Sequence, residues 1–180
     1  MEIEAEAVDN IEKLFRRICE SRLRHRSASI SLTARAPLYA KPSFIKRLLE
    51  PDLACLCVAW VKNSATRFYE IDYAWKKGEH PKRGKFSPDF FIILETRVIV
   101  VEVKGDEELS EPSPENFKKN EYALAHFARI NTHLSDLGES MRYKFCFLTP
   151  SCFNTFFQEL RQGNIDLFRS ELDVVLASDT

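Results

Sequence analysis

The sequence predicts an α/β domain in which α-helices flank a central mixed β-sheet. Two apolar runs, residues 90–94 and 98–103, are rich in β-branched and aromatic residues, as is typical of strands. Because both runs are continuously apolar, the sheet is expected to be covered on both faces. Helical spacing of apolar residues follows in segments 116–134 and 153–160. Strands and helices are therefore predicted to share one core.

Residues 1–40 are predicted to be an N-terminal extension that contains a helix and a strand. Apolar residues with helical spacing indicate the helix over residues 8–23, and alternation indicates the strand over residues 28–34. Residues 41–180 then form one compact domain of ordinary size. The main domain is thus expected to start close to residue 41.

The first half of this domain is predicted to contain one helix and two strands. A connector with prolines at both ends, residues 37–42, precedes a short helix over residues 43–49. The apolar run 53–61 and the aromatic segment 67–75 predict two consecutive strands. Residues 76–85 are basic and contain glycine and proline, so we expect an exposed, mobile loop there.

The second half centres on a predicted β-hairpin. Runs 90–94 and 98–103 are joined by a three-residue polar link, which is typical of a hairpin. An acidic, proline-containing loop follows, and then the helix over 116–134, a strand over 144–148 and a helix over 153–160. The predicted order after residue 50 is β, β, β, β, α, β, α.

Overall charge and hydropathy narrow the classes of function. The net charge of -1 and the pI near 6.4 give no general attraction to nucleic acid, so binding would need a local basic patch. No apolar run approaches the roughly 20 residues that span a bilayer, and the acidic N-terminus is unlike a signal peptide. We therefore expect a soluble, cytoplasmic protein without a membrane partner.

The five cysteines argue against a metal cluster or a disulfide framework. Their number is odd and no CxxC pair occurs. They are instead predicted to be small core residues of a reduced protein. The five are Cys19, Cys55, Cys57, Cys146 and Cys152.

The predicted hairpin brings two carboxylates and one ammonium group together. Asp89 opens its first strand, and Glu102 and Lys104 close its second. The start of one antiparallel strand lies beside the end of the other, so the three side chains should converge. Since side chains alternate along a strand, Glu102 and Lys104 should share one face while Val103 packs on the other.

Clustered carboxylates suit a divalent metal ion. Two carboxylates repel each other unless a cation lies between them, and an oxygen-only site favours Mg²⁺, for which Mn²⁺ substitutes. Such a site can polarise a phosphate and activate water, with Lys104 orienting the water or neutralising charge. The predicted reaction is phosphodiester hydrolysis. The alternative is that Glu102 and Lys104 form an ordinary surface ion pair.

At these residues the chain resembles the PD-(D/E)XK nuclease superfamily, and most closely the nuclease domain of type III restriction enzymes. The resemblance covers about residues 39–135. The matching segments are Trp60-Val61-Lys62-Asn63, Tyr69-Glu70-Ile71-Asp72-Tyr73, Ser87-Pro88-Asp89-Phe90, Glu102-Val103-Lys104-Gly105 and Lys119.

The resemblance implies an αβββαβ core and specific roles for the site residues. It implies that Asp89 and Glu102 hold the metal, that Lys104 is the catalytic lysine and that Lys119 assists. Many members add a glutamate on the helix before the sheet, expected here near residues 43–45. This chain has no acid there, and Glu50 is the nearest candidate for a further ligand.

The function predicted from these features is a metal-dependent DNA endonuclease, in restriction or other defence against foreign DNA. The basic segment 76–85 would contact the DNA backbone; its cations are Lys76, Lys77, Lys82, Arg83 and Lys85. The resemblance implies an attached ATP-driven motor, but no GxxxxGK[ST] motif occurs here. Since no recognition helix or zinc module is visible either, a helicase or translocase, or another subunit, would supply specificity. A homodimer would provide two active sites. The alternatives are a subunit of a transposase or repair system and a non-catalytic DNA-binding scaffold with the same fold.

Overall fold

A four-stranded mixed sheet with helices on both faces forms the centre of the molecule. The computed structural model describes residues 40–63, 68–77 and 80–178, with side chains for all of these except 40, 75–77, 80 and 81. All described residues belong to one compact unit. The predicted N-terminal helix and strand, within residues 1–40, lie outside the described residues.

In the described part of the chain, two helices precede five consecutive strands, and two helices, one strand and two more helices follow. The helices are α1 (Ala40–Leu48), α2 (Pro51–Leu56), α3 (Glu107–Ser110), α4 (Pro114–Asp136), α5 (Phe153–Gln162) and α6 (Glu171–Ala177). The strands are β1 (Ala59–Lys62), β2 (Ile71–Lys77), β3 (His80–Phe86), β4 (Phe90–Ile93), β5 (Arg97–Val103) and β6 (Arg142–Leu148).

The central sheet has the strand order β1-β4-β5-β6. β4 pairs antiparallel with both β1 and β5, whereas β5 and β6 are parallel. The sheet is therefore mixed, as predicted, and the β4–β5 hairpin lies at its centre. β2 and β3 pair only with each other and form a separate two-stranded antiparallel sheet. We call this sheet the ribbon.

One face of the central sheet packs against α1 and α5. Phe44 of α1 is fully buried and its ring lies 5.1 Å from that of Phe90 in β4 and 5.1 Å from that of Phe157 in α5. Val101 and Val103 of β5 belong to the same apolar cluster. Tight packing of these rings fixes α1 against the end of the hairpin where Asp89 lies.

The opposite face packs against α4 and the base of the ribbon. Phe127 of α4 stacks on Phe145 of β6 at 6.0 Å, and Phe86 of β3 stacks on Phe147 at 6.3 Å. Tyr69 lies between Phe91 and Phe127. The prediction that the sheet is covered on both faces is confirmed, and the hairpin's continuous apolar character follows from it.

The predicted strand over residues 53–61 is wrong in its first half. Pro51–Leu56 is helix α2, and only Ala59–Lys62 is strand. Pro51 stands in the first turn with Asp52, which suits a helix start. Cys55 is exposed on this helix, against the prediction of a core residue, whereas Cys57, Cys146 and Cys152 are buried as predicted. Cys19 lies outside the described residues.

The predicted mobile loop over residues 76–85 is also wrong. β3 covers most of this segment and pairs with β2 from Ile71↔Phe86 to Lys77↔His80. Backbone pairing along a partner strand gives a basic, glycine-containing segment a structure that its composition does not predict. Pro81 is tolerated because a two-stranded ribbon consists of edge strands.

Candidate functional site

Asp89 is anchored at the end of the hairpin by two backbone contacts. Its amide N–H donates to the carbonyl of Val101 at 2.9 Å, and its Oδ2 accepts the amide N–H of Val103 at 3.0 Å. The side chain is buried. Its carboxylate is therefore held beside the last residues of β5, as the predicted antiparallel hairpin requires.

Glu102 and Lys104 lie next to each other on one face of β5. Lys104 Nζ donates to Glu102 Oε1 at 2.8 Å, and Val103 between them packs in the core. Glu102 is only 6% exposed, and its second oxygen, Oε2, is buried without a hydrogen-bond partner. A buried carboxylate oxygen without a partner is costly, which marks this position as more than an ordinary ion pair.

The surroundings of Glu102 disfavour its charged form. Burial, and then the neighbouring negative charge of Asp89, raise the pKa of Glu102 to about 7, against the opposing charges of Lys104 and Lys41. Burial by itself would lower the pKa of Lys104, but the carboxylates of Glu102 and Asp89 outweigh it and the pKa is raised. Lys104 is therefore an ammonium ion at neutral pH.

Lys41 is a member of this site that the sequence did not predict. It lies in the first turn of α1, and its Nζ contacts Asp89 Oδ1 as an ion pair. The sequence placed it in a connector, because the helix was expected to begin at Ser43. Pro42 was the available signal, since proline favours the first turn of a helix.

Glu50, the candidate for a further metal ligand, is engaged elsewhere. It pairs with Arg47 at 3.0 Å and with Arg161 at 2.6 Å. In the part of the chain that the structure describes, no three His, Cys, Asp or Glu side chains are grouped so that they could hold a metal ion. The structure therefore brings Asp89 and Glu102 together without Glu50.

Lys119 lies in a second charged cluster at the start of α4. Its Nζ pairs with Glu115 at 2.8 Å and lies over the rings of Tyr73 and Phe86, at 5.7 Å and 5.8 Å. Glu115 also accepts the Tyr73 hydroxyl at 2.5 Å. Hydrogen bonds from Lys119 and Tyr73 lower the pKa of Glu115, and the charge of Lys104 contributes. The cluster thus neighbours Lys104 and joins α4 to the ribbon.

The predicted DNA-binding cations lie along the ribbon. Lys82, Arg83 and Lys85 are exposed on β3, and Lys85 pairs with Glu70 at 3.1 Å. Lys76 and Lys77 are in β2, and their side chains lie outside the described part of the structure. The base of the ribbon, at Tyr73, reaches the Lys119 cluster, so the cations extend outward from the neighbourhood of the site.

The residues present suit a divalent cation. Asp89 Oδ1 and Glu102 Oε2 are oxygen donors that the backbone does not use, and Oε2 has no hydrogen-bond partner. Two carboxylates leave most positions of an octahedral ion to water and phosphate oxygens, as Mg²⁺ prefers. A cation would also relieve the repulsion between Asp89 and Glu102.

Comparisons with known proteins do not assign a function, so the assignment depends on the geometry of the site. No family model, curated protein or solved structure matches it. Among the described residues, no helix has the length and apolar character needed to cross a membrane.

Proposed function

We propose that this domain is a metal-dependent nuclease of the PD-(D/E)XK superfamily that hydrolyses phosphodiester bonds in DNA. The observation that carries the proposal is Glu102 Oε2, which is buried without a partner beside the carboxylate of Asp89. Lys41 and Lys104 each pair with one carboxylate, but the buried Oε2 stays without a partner, which is unfavourable unless a bound cation uses it. Function in restriction or defence against foreign DNA, within a larger cytoplasmic complex, is part of the proposal.

The order of elements supports the superfamily assignment. Without the ribbon and the short helices α2 and α3, the chain runs α1, β1, β4, β5, α4, β6, which is the order αβββαβ. The ribbon is inserted between β1 and β4, so it adds a surface without interrupting the sheet. The resemblance in sequence and this order of elements agree at the same residues.

We propose a separate role in hydrolysis for each residue of the site. Asp89 and Glu102 would hold the cation, which supplies an activated water and positive charge at the phosphate. Lys104, an ammonium at neutral pH, would neutralise charge that develops on the phosphate oxygens. Lys119 would help to neutralise the phosphate from α4. Attack of a water on phosphorus would break the bond to the leaving oxygen; the water would lose one proton to solvent and the leaving oxygen would gain one from solvent, which gives a phosphomonoester and a hydroxyl group.

The direct test is Mg²⁺-dependent nicking of supercoiled plasmid by the full chain. The wild-type protein is expected to nick, EDTA to stop it, and Asp89→Asn to lower the rate by about 10² or more. Asp136→Asn, a matched change of an exposed aspartate at the end of α4, should cleave like the wild type. Nicking that persists in Asp89→Asn would contradict the assignment of the site.

The ribbon is expected to supply backbone-directed binding. The triple variant Lys82→Gln, Arg83→Gln, Lys85→Gln should bind duplex DNA more weakly at every sequence. Each lost phosphate contact should reduce the slope of log K against log salt by about 0.9. The expected total reduction is about 2, because Lys85 is paired with Glu70.

DNA binding measured at a series of salt concentrations separates phosphate contacts by the ribbon from a general loss of positive charge. Lys46→Gln removes an exposed cation from α1 and serves as the control, with an unchanged slope. A triple variant whose slope equals that of the wild type would show that the ribbon does not contact DNA.

A non-catalytic DNA-binding scaffold is the second candidate. It is favoured by α1, which brings Lys41 to the site and has no acid at residues 43–45, and by the two-carboxylate site. Such a scaffold would bind DNA with the salt dependence described above and would not nick plasmid with Mg²⁺ or Mn²⁺. In either case, sequence choice would come from a translocase or another subunit. If the domain is a nuclease, a homodimer would allow both strands to be cut.

A further inference from the structure

Asp89 has one oxygen available for a cation, and Lys41 occupies it. Oδ2 accepts the amide N–H of Val103, which ties that oxygen to β5. Oδ1 is the oxygen that the backbone leaves free, and it contacts Lys41 Nζ. A divalent ion bound by Asp89 through Oδ1 would therefore meet the ammonium of Lys41 at the same atom.

Charge balance in the metal-free site also depends on Lys41. When both are ionised, the carboxylates of Asp89 and Glu102 face the ammonium groups of Lys41 and Lys104, two negative charges against two positive ones. Lys41 is close enough to Glu102 to stabilise its carboxylate as well. Adding a divalent ion while both lysines stay in place would leave the site with two uncompensated positive charges.

Lys41 occupies an oxygen that the cation would use, whereas Lys104 does not. Lys41 lies in the first turn of α1, and its flexible side chain is 18% exposed at the edge of the site. Phe44, one turn later, is fixed in the core, so the helix itself stays in position. Lys104 contacts Glu102 through Oε1 and leaves Oε2 without a partner, so it can stay in place when a cation binds.

We propose that Lys41 is the displaceable counter-ion of the metal site: it neutralises Asp89 in the metal-free protein and is released when a divalent cation binds. This inference rests on the proposed function. It assigns to Lys41 the control of metal affinity at that site. The released ammonium lies at the site's edge, where a DNA phosphate would arrive.

The test is direct Mn²⁺ binding by the full chain, measured from the loss of the free Mn²⁺ signal in electron paramagnetic resonance. Lys41→Gln is expected to bind Mn²⁺ on the order of tenfold more tightly than the wild type, because the competing charge is gone. Lys41→Arg keeps the charge and should not bind more tightly. Lys46→Gln, on the same helix but exposed, should bind like the wild type.

Thermal unfolding with and without Mn²⁺ provides a second readout and shows that each variant is folded. Lys41→Gln should be less stable than the wild type without metal, since Asp89 loses its partner, and should gain more from Mn²⁺. Lys41→Met is the second substitution if the glutamine variant does not fold.

The outcomes separate this inference from the proposed function. Equal or weaker Mn²⁺ binding by Lys41→Gln, with binding by the wild type that Asp89→Asn abolishes, overturns the role of Lys41 and leaves the metal site standing. No Mn²⁺ binding by either the wild type or Lys41→Gln overturns the metal site, and the inference with it.

Discussion

Glu102→Gln is expected to stabilise the metal-free protein at pH 8 while it abolishes metal binding. The carboxylate is buried, one of its oxygens has no partner, and its charged form is disfavoured by burial and by Asp89. Glutamine has nearly the same shape and carries no charge. Metal ligands that lower stability in the absence of their metal illustrate the conflict between stability and function.

The size and pH dependence of this effect follow from the raised pKa. Glu102 has a pKa of about 7 in the folded protein against 4.5 in the unfolded chain. Its contribution to stability is therefore fully present below pH 4.5 and is lost as the pH rises towards 7. The gain of Glu102→Gln over the wild type should grow across this window to about 3 kcal/mol, because the net shift in pKa already includes the attraction of Lys104.

Urea unfolding in EDTA at a series of pH values measures this difference. Glu121→Gln, which neutralises an exposed glutamate paired with Lys118, should show no comparable pH-dependent gain. With saturating Mg²⁺ the order should reverse, because only the wild type binds the ion and is stabilised by it. A Glu102→Gln protein whose stability relative to the wild type is the same at pH 5 and pH 8 would show that the buried carboxylate carries no such cost.

The central hairpin could be predicted because the sequence patterns that indicate it are long and lie next to each other in the chain. Two apolar β-rich runs with a short polar link define a hairpin without reference to the rest of the chain, and β4 and β5 follow them closely. The same hairpin fixes the relative positions of Asp89, Glu102 and Lys104. That part of the site was therefore accessible from the sequence.

Elements that depend on contacts with distant parts of the chain could not be predicted from local sequence in the same way. The run from residue 53 has the composition of a strand, but only Leu53 and Cys57, four residues apart, are buried where α2 forms. β3 exists because β2 pairs along its length. α6 was missed although Ser170 and Asp173 form a capping box, a signal visible in the sequence.

The missed members of the site come from other elements of the fold. Lys41 reaches Asp89 from α1, and Glu115 reaches Tyr73 from α4, over 48 and 42 residues of sequence separation. Spacing along the chain carries no information about such contacts, which arise from the packing of helices on both faces of the sheet. The buried, unpartnered oxygen of Glu102 likewise emerges only from the packed structure.

Lys104→Met is expected to lower the rate of Mg²⁺-dependent nicking by about 10² to 10⁴ while DNA binding changes by only a few-fold. In the metal-free protein the carboxylates that neighbour Lys104 raise its pKa, which favours the ammonium form, and we propose that Lys104 acts as a cation and not as the base that removes a proton from water. Its contribution must then come from positive charge at the phosphate. Methionine keeps the length and packing of the side chain and removes that charge.

Lys104→Arg distinguishes the two roles that a lysine could have here. Arginine keeps the charge and does not deprotonate, so electrostatic stabilisation predicts partial activity, well above that of Lys104→Met. A required proton transfer from a neutral amine predicts that both variants are equally inactive. Single-turnover nicking rates at saturating protein, with Mn²⁺ binding measured in parallel, separate a lost charge from a lost metal. Equal nicking rates for Lys104→Met and the wild type would show that Lys104 takes no part in the reaction. Rates that fall from the wild type to Lys104→Arg and again to Lys104→Met would identify the positive charge of Lys104 as its catalytic contribution.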